Sequence, residues 1–246
     1  MRHAHTTHRF GVLLGLVVGL VVGLAPVPAQ AAELTRPFSR EPVGRGDVDA
    51  DPYAIEHVYE VQIRLRRLGL HSARPDGRFG TRTERAVRTF QRRQGLPATG
   101  RVNARTWVPL IKRSLRGRGA VPRACTSPGW HVCYDRSHHQ ASLYRHGVLH
   151  NSWLVRGGSY DKQTRTGDFT VQWRSKNHRS RTYDGAPMPY SQFFSGGQAL
   201  HGSRNMMNPF VGHSHGCVNF WVEDARQLWG LTHDKRLHVH VYGAWS

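Results

Sequence analysis

Apolar positions fall into three regimes along the chain. Gly11 to Leu24 form one unbroken apolar run, GVLLGLVVGLVVGL. From Ile55 the spacing turns helical: Ile55, Val58, Val61, Leu65 and Leu68 recur at three- and four-residue intervals, marking one face of a helix that Gly69 ends. The breakers in Arg74-Pro75-Asp76-Gly77-Arg78-Phe79-Gly80 predict a turn. Thr81 with Glu84 reads as a capping box opening a second helix, which carries Ala86, Val87 and Phe90 and stops at Gly95. After a turn at Thr99-Gly100, Asn103 is placed to cap a third, short helix carrying Trp107, Leu110 and Ile111. Beyond Val121 the period becomes two. Strands are predicted at Trp130–Tyr134, Ala141–Arg145, Val148–Val155, Phe169–Trp173, Ala199–Leu200 and Leu237–Tyr242, with a hairpin turn at His146-Gly147. One helix is predicted at Val222–Trp229, with Glu223 and Asp224 favourably placed in its first turn. The expected fold class is α+β: a small three-helix bundle, near the lower size limit for independent folding, followed by a mainly β, sandwich-like domain.

The 14-residue apolar run is shorter than the roughly 20 residues a spanning helix needs, and Pro26 and Pro28 cut it off. With Arg2 and Arg9 before it and Ala29-Gln30-Ala31 after it, residues 1–31 read as a cleaved secretory signal rather than an anchor. No Cys follows the cut, which argues against a lipoprotein, and no Arg pair marks a twin-arginine signal. No second long apolar run exists, so a multi-span membrane protein is excluded and the mature chain has no permanent span. Residues 32–50, rich in Pro, Gly and acidic groups, read as a flexible leader; 51–112 as the helical domain; 113–120, with three Arg and two Gly, as a linker; and 121–246 as the β domain.

Charge narrows the partners. The 246 residues carry 35 Lys plus Arg against 16 Asp plus Glu, a formal +19, while 7 Trp, 8 Tyr and 9 Phe exclude a wholly disordered chain. Such a charge seeks a polyanion. Inside a cell that would suggest nucleic acid. An exported chain meets anionic wall polymers and acidic peptide stems instead, so nucleic acid is not an expected partner. Arg outnumbers Lys 31 to 4, which a plain compositional bias would also produce.

Three cysteines are present. Cys125 and Cys133 lie close together, and an oxidising compartment is expected to pair them, closing a short loop worth roughly 2–3 kcal/mol. Cys217 is then the free thiol. It sits in His213-Ser214-His215-Gly216-Cys217-Val218-Asn219, with His201-Gly202-Ser203 upstream. A thiolate attacks amide carbonyls well, but a free thiol is mostly protonated at neutral pH. A neighbouring His lowers that pKa by ion pairing and can then protonate the leaving amine. Gly216 allows a tight turn that aims backbone N–H groups at one point, as an oxyanion requires. These are the parts of a Cys–His acyltransferase. Other readings stay open here. His213, His215, Cys217 and His201 could ligate zinc, or Cys217 could be an inert buried thiol. His238-Val239-His240 is a further His-x-His whose two rings share a strand face and read as surface histidines.

Two resemblances sharpen this picture. Val61-Gln62-xx-Leu65-xx-Leu68-Gly69-Leu70, Asp76-Gly77-Arg78-Phe79-Gly80-xx-Thr83-xx-Ala86-Val87-xx-Phe90-Gln91-xx-Gln94-Gly95-Leu96-xx-Thr99-Gly100 and Thr106-xxx-Leu110 together resemble the type 1 peptidoglycan-binding domain family over about 55 residues. The resemblance implies docking on cell-wall glycan or peptide stems. His201, twelve intervening residues and Ser214-His215-Gly216-Cys217-Val218-Asn219 resemble the L,D-transpeptidase catalytic (YkuD) family, with the gap at the short end of the family's range. Thr164-Arg165-Thr166-Gly167-Asp168-Phe169 resembles that family's Thr-Pro-x-Gly-x-Phe loop with Arg165 in place of Pro. Met188-Pro189-Tyr190 with Phe193 and Gly196-Gly197-Gln198-Ala199-Leu200-His201 resembles its strand leading to the catalytic His. This second match covers residues 131–243.

The second resemblance implies a role for each matching residue. Cys217 is the nucleophile, His201 its base and acid, and the Gly202 carbonyl orients His201. The N–H groups of His215, Gly216 and Cys217 form the oxyanion hole, and Ser214 and Asn219 hold the turn and His215. Met188 and Tyr190 line the substrate cleft, with core packing as their alternative. It further implies a wall-localised enzyme forming 3→3 cross-links between a donor tetrapeptide stem and an acceptor stem amine, acylated by carbapenems, with no metal or organic cofactor. The alternatives are an L,D-carboxypeptidase, a zinc-dependent wall peptidase, or a non-catalytic wall-binding protein.

Overall fold

The computed structural model describes Met1, residues 36–117 and residues 121–246. The expected signal segment lies outside the described residues. Among those described, no helix is long and apolar enough to cross a membrane.

Three helices form the N-terminal domain: α1 (Val58–Arg67), α2 (Thr81–Arg93) and α3 (Ala104–Ser114). Their apolar stripes meet in a core of Val58, Val61, Leu65, Val87, Phe90, Trp107, Leu110 and Ile111. Asn103 caps α3, its side chain accepting from Thr106 N at 3.2 Å. Thr81 does not cap α2. Gly80 holds that position, and Glu84 turns outward to pair with Arg88. Two buried glutamines organise the turns in the same way. Gln62 Oε1 accepts from Asp76 and Gly77 N–H while its Nε2 donates to Arg78 O; Gln91 Oε1 accepts from Gly100 N–H while its Nε2 donates to Arg101 O. Both turns need a left-handed glycine, Gly77 (φ 71°) and Gly100 (φ 78°).

The expected flexible leader is, over residues 36–50, a packed strap. Phe38 and Val43 are buried in the helical core. Val43 bridges Val102, and Val48 bridges Arg78. Asp49 accepts from Val58 N (3.1 Å) and Tyr59 N (2.7 Å), capping α1 from outside its own sequence. The expected linker likewise starts late, because Arg113 and Ser114 complete the last turn of α3.

The second domain is a two-sheet sandwich. Strands β1 (Trp130–Asp135), β2 (Gln140–Arg145), β3 (Val148–Leu154), β4 (Gly167–Thr170) and β9 (Leu237–Tyr242) form a sheet of order β3-β2-β1-β9-β4. Strands β5 (Trp173–Arg179), β6 (Pro187–Ser195), β7 (Gln198–Gly202) and β8 (Val218–Phe220) form the second, in that order. Val132, Leu143, Trp153, Phe194, Leu200, Val218 and Phe220 fill the space between them, joined by Leu228 of α4 (Val222–Thr232). The predicted strand Phe169–Trp173 is instead the end of β4 and the start of β5. Cys125 and Cys133 form a disulfide with Cα atoms 6.0 Å apart. The His-x-His of β9 is not a surface pair. His240 is buried, 3.0 Å from His131 Nδ1 and 2.6 Å from Asp168 Oδ1.

The domains share a buried interface. Arg40 pairs with Glu60 (3.0 Å) and lies 3.5 Å from Asp224 at the start of α4. Arg40 and Arg64 both donate to Ser152 O on β3, at 3.2 and 2.9 Å. His57 bridges Glu41 and Asp224. Beside these, Ile55 and Ile63 pack against Leu154, Met206 and Trp221. Burial alone would raise the Glu60 carboxyl, but Arg40 and Arg64 hold it down at about 2.

Candidate active site

Parallel pairing of β7 with β8 builds the site. The register sets Leu200 beside Val218 and His201 beside Asn219. Strand side chains alternate, so Ala199 and His201 share a face with Cys217 and Asn219. Cys217 is the free cysteine and is half-buried. It packs against Met188, Phe193 and Ala199, with Sγ 3.9 Å from Gly197 O. Thiol and imidazole line one cleft of about 580 Å³.

The turn before β8 is fixed internally. Ser214 Oγ donates to Cys217 O at 2.6 Å and accepts from Gly216 N at 3.0 Å. Gly216 has φ 116°, and a Cβ there would lie 2.5 Å from Gln198 Nε2. No other residue type fits that position without displacing Gln198. Gln198 in turn accepts from Arg165 N and donates to Gln163 O, tying the 163–165 loop to the turn before Cys217. A segment with no sequence signal beyond its two glycines completes the frame. Arg156 and Asn219 exchange backbone hydrogen bonds of 2.9 and 2.8 Å, and Ser214 N donates to Gly157 O at 2.8 Å. A Cβ on Gly158 would lie 2.0 Å from Lys162 O.

His201 is buried and oriented at both nitrogens. Nδ1–H donates to Gly202 O at 2.8 Å, which leaves Nε2 with its lone pair. Asn219 Nδ2 donates to that lone pair at 3.0 Å. Asn219 thus holds His201 rather than His215, the parallel register having placed it opposite His201. Its Oδ1 accepts from Arg156 Nη2 at 3.4 Å.

Several expected roles change. The His215 ring is exposed and stacks on Tyr183 (4.4 Å, 19°) on the wall of the same cleft, so it is not held by Asn219. The Gly216 N–H is taken by Ser214, so it is not free for an oxyanion. Met188 lines the cleft, but Tyr190 does not. Tyr190 adopts φ 59°, which breaks the strand alternation and turns it toward the sandwich core and Trp229. Donors for zinc do not converge here. His213 lies over Trp245, His215 over Tyr183, and His201 is held by Gly202 and Asn219. Among the described residues, the close grouping of three ligating side chains is His57, Glu60 and Asp224. Arg40 and Arg64 already neutralise its carboxylates.

Protonation differs from the ion pair expected. Burial pushes His201 down to about 4, with the His178 and Arg156 charges adding to the shift. Burial also raises the Cys217 thiol, against an Ala199 N–H and the Arg165 charge that favour the thiolate. The resting pair is therefore neutral: a thiol and an unprotonated imidazole.

Residues 129–241 match the L,D-transpeptidase catalytic domain family YkuD, and residues 56–110 match the peptidoglycan-binding domain family PG_binding_1. The chain carries a peptidoglycan-binding domain followed by an L,D-transpeptidase catalytic domain. Among solved structures, the L,D-transpeptidase of Stackebrandtia nassauensis has a similar fold, with a TM-score of 0.52 at 24% identity, over 86% of this chain and 98% of that one. A second, residues 123–326 of the L,D-transpeptidase of Xylanimonas cellulosilytica, is 26% identical with a TM-score of 0.47, over 83% and 98%. The spore cortex-lytic enzyme of Bacillus cereus is 32% identical over 90 residues, 37% of this chain. The chain spans about a third (32%) of that curated relative's length. The catalytic domain's five- and four-stranded sheets, with α4 packed on β6 and β7, form the mostly β half of the α+β fold.

Proposed function

We propose that this protein is an exported peptidoglycan L,D-transpeptidase in which Cys217 is the nucleophile and His201 the general base and acid. The observation that carries this reading is the placement of a free thiol and an unprotonated, oriented imidazole on one face of paired strands, in one cleft. The donor is a tetrapeptide stem. As the Cys217 sulfur attacks the carbonyl of residue 3, its proton passes to His201 Nε2, the Asn219 amide moving off the lone pair. The oxyanion is met by backbone N–H groups of the turn, those of His215 and Cys217 once Gly216 is committed to Ser214. The C–N bond to the terminal D-residue breaks, and His201 returns the proton to the leaving amine. A thioester remains. The side-chain amine of residue 3 on a second stem attacks it, giving its proton to His201. The new amide forms the 3→3 link and the thiol is restored. Water in place of that amine gives the carboxypeptidase outcome.

The N-terminal domain holds the enzyme on the wall, raising the effective stem concentration. Anionic wall polymers are a second partner class for its excess of arginine. Deleting residues 51–112 would also strip Arg64 and Glu60 from a buried interface, so surface substitutions test this tethering better than truncation. The proposed reaction is tested by incubating the full chain with a donor tetrapeptide and separating products by mass. Release of the terminal D-residue and appearance of the dimer, both absent with Cys217→Ala, support it. Product formation by that variant, or abolition by chelators of the wild-type reaction, would replace it with a metal-dependent mechanism.

A further inference from the structure

The cleft beside Cys217 is lined by four arginines and four histidines and by no Asp or Glu. In this basic chain carboxylate partners are scarce, and among the described residues they go to cations outside the cleft: Arg40 and Arg64 with Glu60, Arg45 and Arg88 with Glu84, Arg226 with Glu223, Lys235 with Asp234. Among the described residues, none of Arg156, Arg165, Arg181 and Arg204 forms a salt bridge. The nearby carboxylate of Asp161 is exposed and accepts from Ser159 Oγ at 2.6 Å, outside the cleft wall.

Of the four guanidiniums only Arg156 is buried; Arg165, Arg181 and Arg204 are exposed, and they differ in how they are anchored. Arg156 is 6% exposed, its Nη1 on Val211 O (3.0 Å) and Nη2 on Asn219 Oδ1, with a buried Nε that has no partner. Arg165 is anchored on the β6–β7 turn through Ser195 Oγ and Gly196 O. These two supply a fixed positive field at the cleft, focused by its walls. Arg181 and Arg204 are exposed at the rim. Arg204 lies over the ring of Tyr53, from the N-terminal segment, at 5.1 Å. That stacking fixes its plane while leaving its N–H edge to bind. A buried cation without a counter-ion is costly, and an incoming anion relieves that cost.

We propose that this cleft selects peptide stems bearing free carboxylates over stems in which those groups are carboxamides. The inference rests on the transpeptidase reading above and names its substrate class. A carboxylate brings the missing charge and accepts the two-pronged guanidinium bond; a carboxamide of the same shape does neither. The test uses the full chain and two donor tetrapeptides of one sequence. In one, the α-carboxyl of residue 2 and the side-chain carboxyl of a diaminopimelate at position 3 are free; in the other, both are amidated. The readout is kcat/KM for release of the terminal D-residue at low salt and at about 0.5 M salt. The free acid is expected to be preferred about tenfold, mainly through KM, with the ratio falling toward one at high salt. The ratio also falls in the Arg181→Gln/Arg204→Gln double variant. Both rates come from one preparation, so any loss of folded protein cancels. Equal rates at low salt, a preference for the amide, or a preference undiminished in the double variant would overturn the proposal while leaving the transpeptidase reading intact. Release from neither peptide, without acylation of Cys217, would overturn the reading itself.

Discussion

His57 and His201 are both buried, one at the domain interface and one in the cleft, yet they hold protons in opposite ways. Burial alone would push both down. At His57, Glu41 and Asp224 reverse that and raise it well above the ordinary value of 6.5. At His201 no carboxylate faces the ring, the nearby charges are positive, and it falls to about 4. The difference lies in the partners. One arrangement makes a permanent cation that clamps two domains; the other keeps a base ready at neutral pH.

The comparison breaks first at the cleft. Cys217→Ala and His201→Ala should each lower D-residue release by about a thousandfold or more, measured as kcat/KM, with little change in thermal midpoint. His57→Gln should do the reverse. It removes one of the two cations beside Asp224, Arg40 remaining 3.5 Å away, and should cost about 1–3 kcal/mol in a denaturant titration while the remaining folded protein keeps its chemistry.

The pH dependence sharpens the contrast. Because His201 is lowered, its base form persists well below 6.5, so kcat/KM should stay level down to about pH 5 and fall near 4. A limb near 6.5 would mean the ring is not desolvated. For stability the unfolded chain binds the His201 proton first, so that contribution is present above 6.5 and is lost as pH falls toward 4. His57 runs the other way: its contribution is full below 6.5 and is lost as pH rises through its raised value. Thermal midpoints across pH, with and without His57→Gln, separate the two.

Smaller effects follow from the groups behind His201. Asn219→Ala removes the donor to Nε2 and should cost about tenfold to a hundredfold in kcat/KM, moving the acid limb upward. Arg156→Gln removes a like charge and a brace on Asn219. It acts as a positioning residue, and its signature is a smaller upward move of the same limb.

Much of this was legible in the sequence where the signal is local. The helices carry apolar stripes bounded by glycines, and the His201 and Cys217 motifs carry their own spacing. The strap at 36–50 was not legible, because Phe38, Arg40 and Val43 stand in a segment without periodicity and are ordered only by distant partners. Strand β5 reads as polar, WRSKNHR, with its side chains partly or fully exposed, and β6 contains Pro187 and Pro189, so neither shows a strand by its own pattern and only the family resemblance implied one at β6. Tyr190 misled because its left-handed backbone breaks the alternation a sequence reading assumes. Arg156 lies 63 residues before Asn219, and nothing local joins them. The two histidine shifts depend on which charges packing brings near, which spacing does not encode.

The central claim is that His201 activates the sulfur of Cys217 for covalent attack, and intact-protein mass spectrometry after incubation with a carbapenem tests it most directly. The account predicts a single adduct on the wild-type chain, mapped to the peptide containing Cys217, none on Cys217→Ala, and strongly slowed formation on His201→Ala. An adduct retained by Cys217→Ala, or a folded wild-type chain that forms none, would contradict it.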